Sequence, residues 1–337
     1  MNRKIAIGIV VAVILITACA GVYFLGKPKD VTPGKVYRVG ILSGLDFFAN
    51  TTDGFKAKMT ELGYIEGKNI VYDLQKTDFD LAAYKSILKK FVDEKVDLIF
   101  VFPTEASQEA KNSIKGTNIP VVFANAFTED TGIVNSVREP GGNITGVRWV
   151  GPDLALKRYE IMREVAPYAK RMWVPYQKGY PIVKSQLEAL RPAFASSGIT
   201  MMELPADNAT ELEAELHKQA KSFNNATDAI LLLAEPLGVT PDAFTVIGKF
   251  ADTYKIPVGG ALMSAGGYES VFGLTPQSIP QGKQAAFLAD KIFRGTPAGT
   301  IPVVSSEPYF QLNYKAVQKL GLTVSEGLLS RADEIIR

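Results

Sequence analysis

Residues 96–126 read VDLIFVFPTEASQEAKNSIKGTNIPVVFANA. Two short apolar runs, 98–102 and 120–124, are rich in β-branched and aromatic residues. Between them lies a polar segment of helix length that opens at Pro103 and Thr104 and ends near Gly116. Apolar runs on either side of such a helix mark a strand–helix–strand unit in a parallel sheet covered on both faces. Ligands of such sheets sit beyond the carboxyl ends of the strands, where helix N-termini offer unpaired N–H groups. Pro103, Thr104, Glu105, Asn125 and Ala126 are therefore expected at the mouth of a cleft.

The same device recurs outward in both directions. Before it come strands at 37–42 (YRVGIL) and 69–74, with a helix at 53–62 stopped by Gly63. A second helix at 82–94 carries Ile87, Leu88, Phe91 and Val92 on one face. After it the turn EPGGN at 139–143 leads to a strand at 144–147 that carries the chain across. A second series starts at Pro152, with strands near 171–174, 200–204, 229–233 and 256–259 separated by amphipathic helices. DLIFVFPTE (97–105) and DAILLLAEP (228–236) are one device in different letters. The fold class is α/β, and 337 residues suffice for two lobes, each with a core of its own.

Composition excludes several functions. Hydrophobic residues make up 47% and charged residues 21%, as in ordinary globular proteins. The formal charge is +2, and loss of Arg3 and Lys4 with a leader brings it to zero, leaving no basic excess for nucleic acid. The only cysteine is Cys19 and the only histidine His217, so neither a disulfide within the mature chain nor a zinc constellation is expected. His217 sits in ELEAELHKQAKSF, a charged helix face, and reads as a solvated residue. Without a nucleophile–base pair or a phosphate-binding loop, an enzyme is not expected, nor a metal or cofactor.

Met1–Lys4 is short and basic, and residues 5–25 carry no charge. Ile16-Thr17-Ala18-Cys19 resembles a bacterial lipobox. Residues 1–18 are read as a lipoprotein signal peptide, Cys19 as the lipid anchor and 19–35 as a tether. The rival is an uncleaved membrane helix, because about 20 apolar residues span a bilayer. Both readings hold the folded part outside the cytoplasm at the membrane face.

Several segments together resemble one family. They are LGYIEGKN (62–69), residues 97–106, PVVF (120–123), EPGGNITGV (139–147), GALMS (260–264), ADKIFRG (289–295) and LLSRADEI (328–335). In this order and spacing they are similar to the ABC-transporter substrate-binding proteins, which include tryptophan- and tyrosine-type binding lipoproteins. The resemblance implies a two-lobe, type I periplasmic-binding-protein-like fold with ligand trapped between the lobes. It implies an importer permease and its ATPase as partners. It also implies crossings back near Ser270 and out near Thr300, so that 36–147 plus 271–299 form lobe 1 and 148–270 plus 300–337 lobe 2. Two turns that read the ligand in relatives differ here: residues 126–130 are AFTED, and Glu235-Pro236 follows the AILLL run.

The strand-end rule nominates Ser43, Asp46, Thr104, Glu105, Asn125, Phe127 and Thr128 in the first lobe. Tyr176, Tyr180, Glu235, Ser264 and Tyr268 are nominated across the gap. Serine and threonine at helix starts suit an anionic group, the two glutamates an amine, and the aromatic rings a flat or apolar portion. The expected protein is a monomeric, extracytoplasmic solute-binding lipoprotein of an ABC importer, with an aromatic amino acid favoured. The alternative is a membrane-tethered sensory ectodomain of the same fold.

Overall fold

The computed structural model describes residues 34–337. The expected signal peptide, Cys19 and nearly all of the tether lie outside the described residues. Two sheets organise the chain. The first is parallel throughout, in the order β13-β5-β4-β3-β1-β2. Its strands are β1 (Tyr37–Ser43), β2 (Ile70–Lys76), β3 (Leu98–Phe102), β4 (Val121–Phe127), β5 (Ile144–Trp149) and β13 (Val304–Ser305). The second runs β15-β14-β12-β9-β8-β6-β7, with β14 antiparallel to β12. It consists of β6 (Arg171–Gln177), β7 (Thr200–Ala206), β8 (Asp228–Leu232), β9 (Val258–Gly260), β12 (Phe272–Pro276), β14 (Pro308–Asn313) and β15 (Glu334–Ile336). β10 (Ser264–Ala265) and β11 (Tyr268–Glu269) form a separate small hairpin.

All five residues of β3 and all five of β8 are buried, which is why both read as unbroken apolar runs. Helices cover both faces of each sheet. In the first lobe these are α1 (Asn50–Glu61), α2 (Leu81–Asp93) and α3 (Thr104–Ser113). The second carries α4 (Gly151–Val165), α5 (Pro181–Ser197), α6 (Ala209–Gln219), the one-turn α7 (Pro236–Val239) and α8 (Pro241–Tyr254). α9 (Ser278–Phe293) returns to the first lobe, and α10 (Tyr314–Lys319) and α11 (Glu326–Arg331) finish the second. Successive strand residues alternate between faces. Tyr37, Val39 and Ile41 pack with Phe55, Met59 and Ala285 on the α1–α9 side, whereas Leu42, Ile99 and Val101 pack with Leu88 and Ala110 on the other.

The chain passes between sheets after Trp149, after Pro276 and after Ser305. The last two crossings come a few residues later than the expected 270 and 300. Phe272–Pro276, expected in the first lobe, pairs with β9 and β14 of the second sheet. Val304 and Ser305, expected in the second lobe, pair with Val147 and Arg148 of the first. The physical reason is the hairpin. It joins β9 to a parallel neighbour without an intervening helix, so the second sheet gains a strand before the chain leaves it.

Candidate functional site

The carboxyl ends of the two sheets face each other, and side chains from both lobes meet there. Tyr180, which precedes α5, donates its hydroxyl to Glu105 Oε1 at 2.7 Å. Glu105 lies in the first turn of α3. Ile182, Ala234 and Ala261 of the second lobe belong to the same buried cluster as Phe127 and Trp149 of the first. Burial and the nearby Glu105 charge push the Tyr180 phenol well above its ordinary range, so it stays a donor. Behind it, the Tyr84 hydroxyl donates to the Gly44 carbonyl at 2.6 Å.

Glu235 lies three residues beyond the end of β8 and immediately precedes α7. It is 2% exposed; its Oε2 accepts from the Gln177 N–H at 2.9 Å, while Oε1 has no partner. Burial raises its carboxyl pKa to about 7, against the pull of the Gln177, Leu237 and Gly238 N–H groups. Among the described residues neither Glu105 nor Glu235 is ion-paired with a lysine or arginine. In the first lobe, Ser43 Oγ and Thr52 Oγ1 are buried without partners. Ser43 follows Tyr37, Val39 and Ile41 on the face under α1, and Thr52 lies in the first turn of α1, whose start has no side-chain cap. The arrangement places carboxylates with spare acceptor capacity on both rims and two free hydroxyls in the first-lobe wall.

The other nominated residues are placed differently. Asn125 is turned inward by a left-handed backbone (φ 48°). Its Nδ2 donates to Thr51 Oγ1 at 2.7 Å and its Oδ1 accepts from Gln281 Nε2. Gln281 Oε1 in turn accepts from Trp149 Nε1 at 2.9 Å, so the amide of Asn125 is taken up in tying α9 to β4 and β5. Thr104 Oγ1 accepts from the Phe127 N–H, joining two strand ends. Phe127 packs edge-on against Trp149. Thr128 Oγ1 accepts from Arg148, which also pairs with Glu129. Asp46 is exposed at the rim beside Asp78. The Tyr176 hydroxyl donates to Glu203, which is also held by Arg191, inside the second lobe. Ser264 and Tyr268 lie on the hairpin that packs along α8, where the Tyr268 ring covers Gly248. A surface hollow of about 620 Å³, lined by Glu160, Arg163, Lys170 and Gly198, lies at the opposite ends of β6 and β7 and holds none of these residues.

Residues 40–336 match the family described as ABC transporter substrate binding protein. The chain belongs to that family. This substrate-binding protein is 27% identical over 259 residues to a tyrosine-binding protein of Clostridioides difficile (strain R20291), covering 75% of this chain and 70% of that one. A conserved domain protein of Vibrio cholerae superimposes with a TM-score of 0.76 at 25% identity, over 89% of this chain and all of that one. An ABC domain from Streptococcus pneumonia in complex with L-Trp gives 0.76 at 20% identity, over 90% and 100%. The fold is that of the type I periplasmic-binding-protein-like group, and the family works outside the cytoplasm. Among the described residues no helix is long and apolar enough to cross a membrane.

Sequence reading missed Gln281, Tyr84 and Thr52. Gln281 lies 156 residues from the asparagine it holds, and no local pattern announces it. In this substrate-binding protein the Tyr180–Glu105 bond joins the lobes directly. A hydrogen bond to a charged group contributes about 2 kcal/mol, so Tyr180→Phe is expected to shift the lobes at least tenfold toward open. Small-angle scattering of the solute-free protein checks this: the radius of gyration should rise, and an unchanged value would dismiss the contact as a latch.

Proposed function

We propose that this protein captures a small organic solute bearing a protonated amine, an amino acid with an aromatic side chain favoured, and delivers it to an importer permease and its ATPase. The observation that carries the reading is Glu235: a buried carboxylate with one free oxygen, on the lobe opposite Glu105. An ammonium group between them would satisfy both, and the closed form would be selected because only it offers both at once. Ser43, Thr52 and the uncapped start of α1 supply donors for a further polar group, and Phe127 an aromatic surface. The tyrosine-binding and L-Trp-bound relatives support an aromatic amino acid. The leader supports a lipid anchor at Cys19, and mass spectrometry of the purified N-terminus would separate it from an intact Met1 helix.

Calorimetric titration with L-tyrosine and L-tryptophan, beside a thermal-shift screen of other amino acids, peptides, nucleosides and sugars, tests the solute class. Stabilisation by sugars alone would overturn the amine reading. Tyr176→Phe is expected to leave solute affinity unchanged, since its hydroxyl serves Glu203. A clear loss of affinity on titration would return Tyr176 to the site.

A further inference from the structure

Three charged side chains are buried among the described residues: Asp228, Glu235 and Arg158. Asp228 is paired with Arg171. Arg158 has no counter-charge. It is fully buried in α4; its Nε donates to the Leu274 carbonyl at 2.9 Å, and Nη1 and Nη2 have no partner. Its helical neighbours one turn away, Leu154, Ala155, Ile161 and Met162, are all apolar and buried. Burial lowers its pKa to about 9, so the guanidinium is still charged at neutral pH. A lone buried cation is costly, and one nitrogen suffices to tie α4 to β12.

The position of the free edge is informative. Side chains on a helix lean toward its N-terminus. The N-terminal end of α4 is Gly151, which lies against the Phe127 ring of the first lobe and near Gln186. Leu274 is two residues before Pro276, where β12 ends and the chain crosses. The Arg158 side chain therefore leans toward the cleft end of the second sheet, its head held beside Leu274. With Nε committed to Leu274, the Nη1–Nη2 edge is the part left over, and its spacing matches the two oxygens of a carboxylate.

We propose that the Nη1–Nη2 edge of Arg158 is a carboxylate-recognition site at the cleft end of the second lobe, which takes the carboxylate of the solute as the lobes close. The source of the carboxylate rests on the amino-acid reading above; the site itself does not. The solute is then read at both ends, its ammonium by Glu235 and Glu105 and its carboxylate by Arg158.

The test compares the wild type with Arg158→Met, which keeps length without charge, and Arg158→Lys, which keeps charge without the planar fork. Each is titrated with L-tyrosine and with tyramine, the same molecule lacking the carboxylate. The wild type is expected to prefer L-tyrosine by roughly tenfold or more. Arg158→Met should lose the preference, with tyramine unaffected, and Arg158→Lys should keep part of it. Full preference in Arg158→Met overturns the proposal. Should Arg158→Met fail to fold, an unchanged preference in Arg158→Lys does the same. If the wild type binds neither molecule, the aromatic amino-acid reading fails and sodium acetate decides the site. At ionic strength matched with chloride, acetate should raise the Tm of the wild type but not of the folded Arg158 variant. Equal shifts in both overturn it.

Discussion

Glu235→Gln is expected to stabilise the protein by about 3 kcal/mol at pH 8 and to leave it unchanged near pH 4, while weakening solute binding. The carboxyl rises from 4.5 to about 7 on folding because it is buried. A carboxylate whose folded pKa is raised takes up a proton more readily when folded. The wild type therefore loses stability as pH climbs from about 4.5 through 7, by about 3 kcal/mol in all. Glutamine has the same shape and no charge, so it escapes that loss. Below the unfolded pKa both proteins are neutral at this position and the gap closes. Urea denaturation at pH 4 and pH 8 reads the difference directly; a gap that ignores pH would show that Glu235 is not a buried titrating group. Solute affinity should behave in the opposite sense. An ammonium ligand favours the ionised carboxylate, so wild-type affinity should rise between pH 6 and 8, and Glu235→Gln should be weak and flat.

The second large effect is expected from Gly282→Ala. A glycine-to-alanine change inside a helix ordinarily stabilises by up to about 1 kcal/mol. Here a Cβ at Gly282 would lie 2.0 Å from the Thr51 carbonyl oxygen and 2.7 Å from the Phe55 nitrogen. One turn away, a Cβ at Gly54 would lie 2.1 Å from the Ile279 carbonyl oxygen. α1 and α9 thus touch backbone to backbone, and any side chain must push them apart. Overpacking of this kind costs about 3 kcal/mol. The displacement would carry Gln281 away from Asn125 and Trp149, so the first-lobe wall should loosen together with the global stability. Chemical denaturation followed by tryptophan fluorescence measures both, and Lys283→Ala, exposed on the same helix, serves as the control. A stabilising Gly282→Ala would mean that the helices do not meet at these glycines.

Much of the architecture is legible in the sequence because buried parallel strands cannot hide. LIFVF and AILLL admit few alternatives to a strand covered on both faces. The crossings carry no such local signal. FGLTP (272–276) ends in proline and follows a glycine-rich loop, so nothing local says which sheet it joins; its pairing with β14 is decided by a segment more than thirty residues away. The site divides in the same way. The strand-end rule found Glu105, Tyr180 and Glu235, because it depends only on where strands stop. It also nominated Asn125 and Tyr176, whose polar atoms turn toward Gln281 and Glu203, since the direction of a side chain at a strand end is set by distant partners. Arg158 did leave a local trace: one arginine on the otherwise apolar stripe formed by Leu154, Tyr159, Ile161 and Met162.

Three crossings leave neither lobe made of one continuous stretch of chain. The first sheet receives its covering helix α9 and its edge strand β13 from residues 278–305, after most of the second sheet has been laid down. Domains usually complete themselves in order as they leave the ribosome, the N-terminal one first. Here α1 lays Phe55 over Phe100 early, but the α9 half of the same face stays uncovered until the chain has passed through β6, β7, β8, β9 and β12 of the second sheet. Completion of the first lobe therefore waits on synthesis of most of the second, so the two lobes cannot finish folding one after the other.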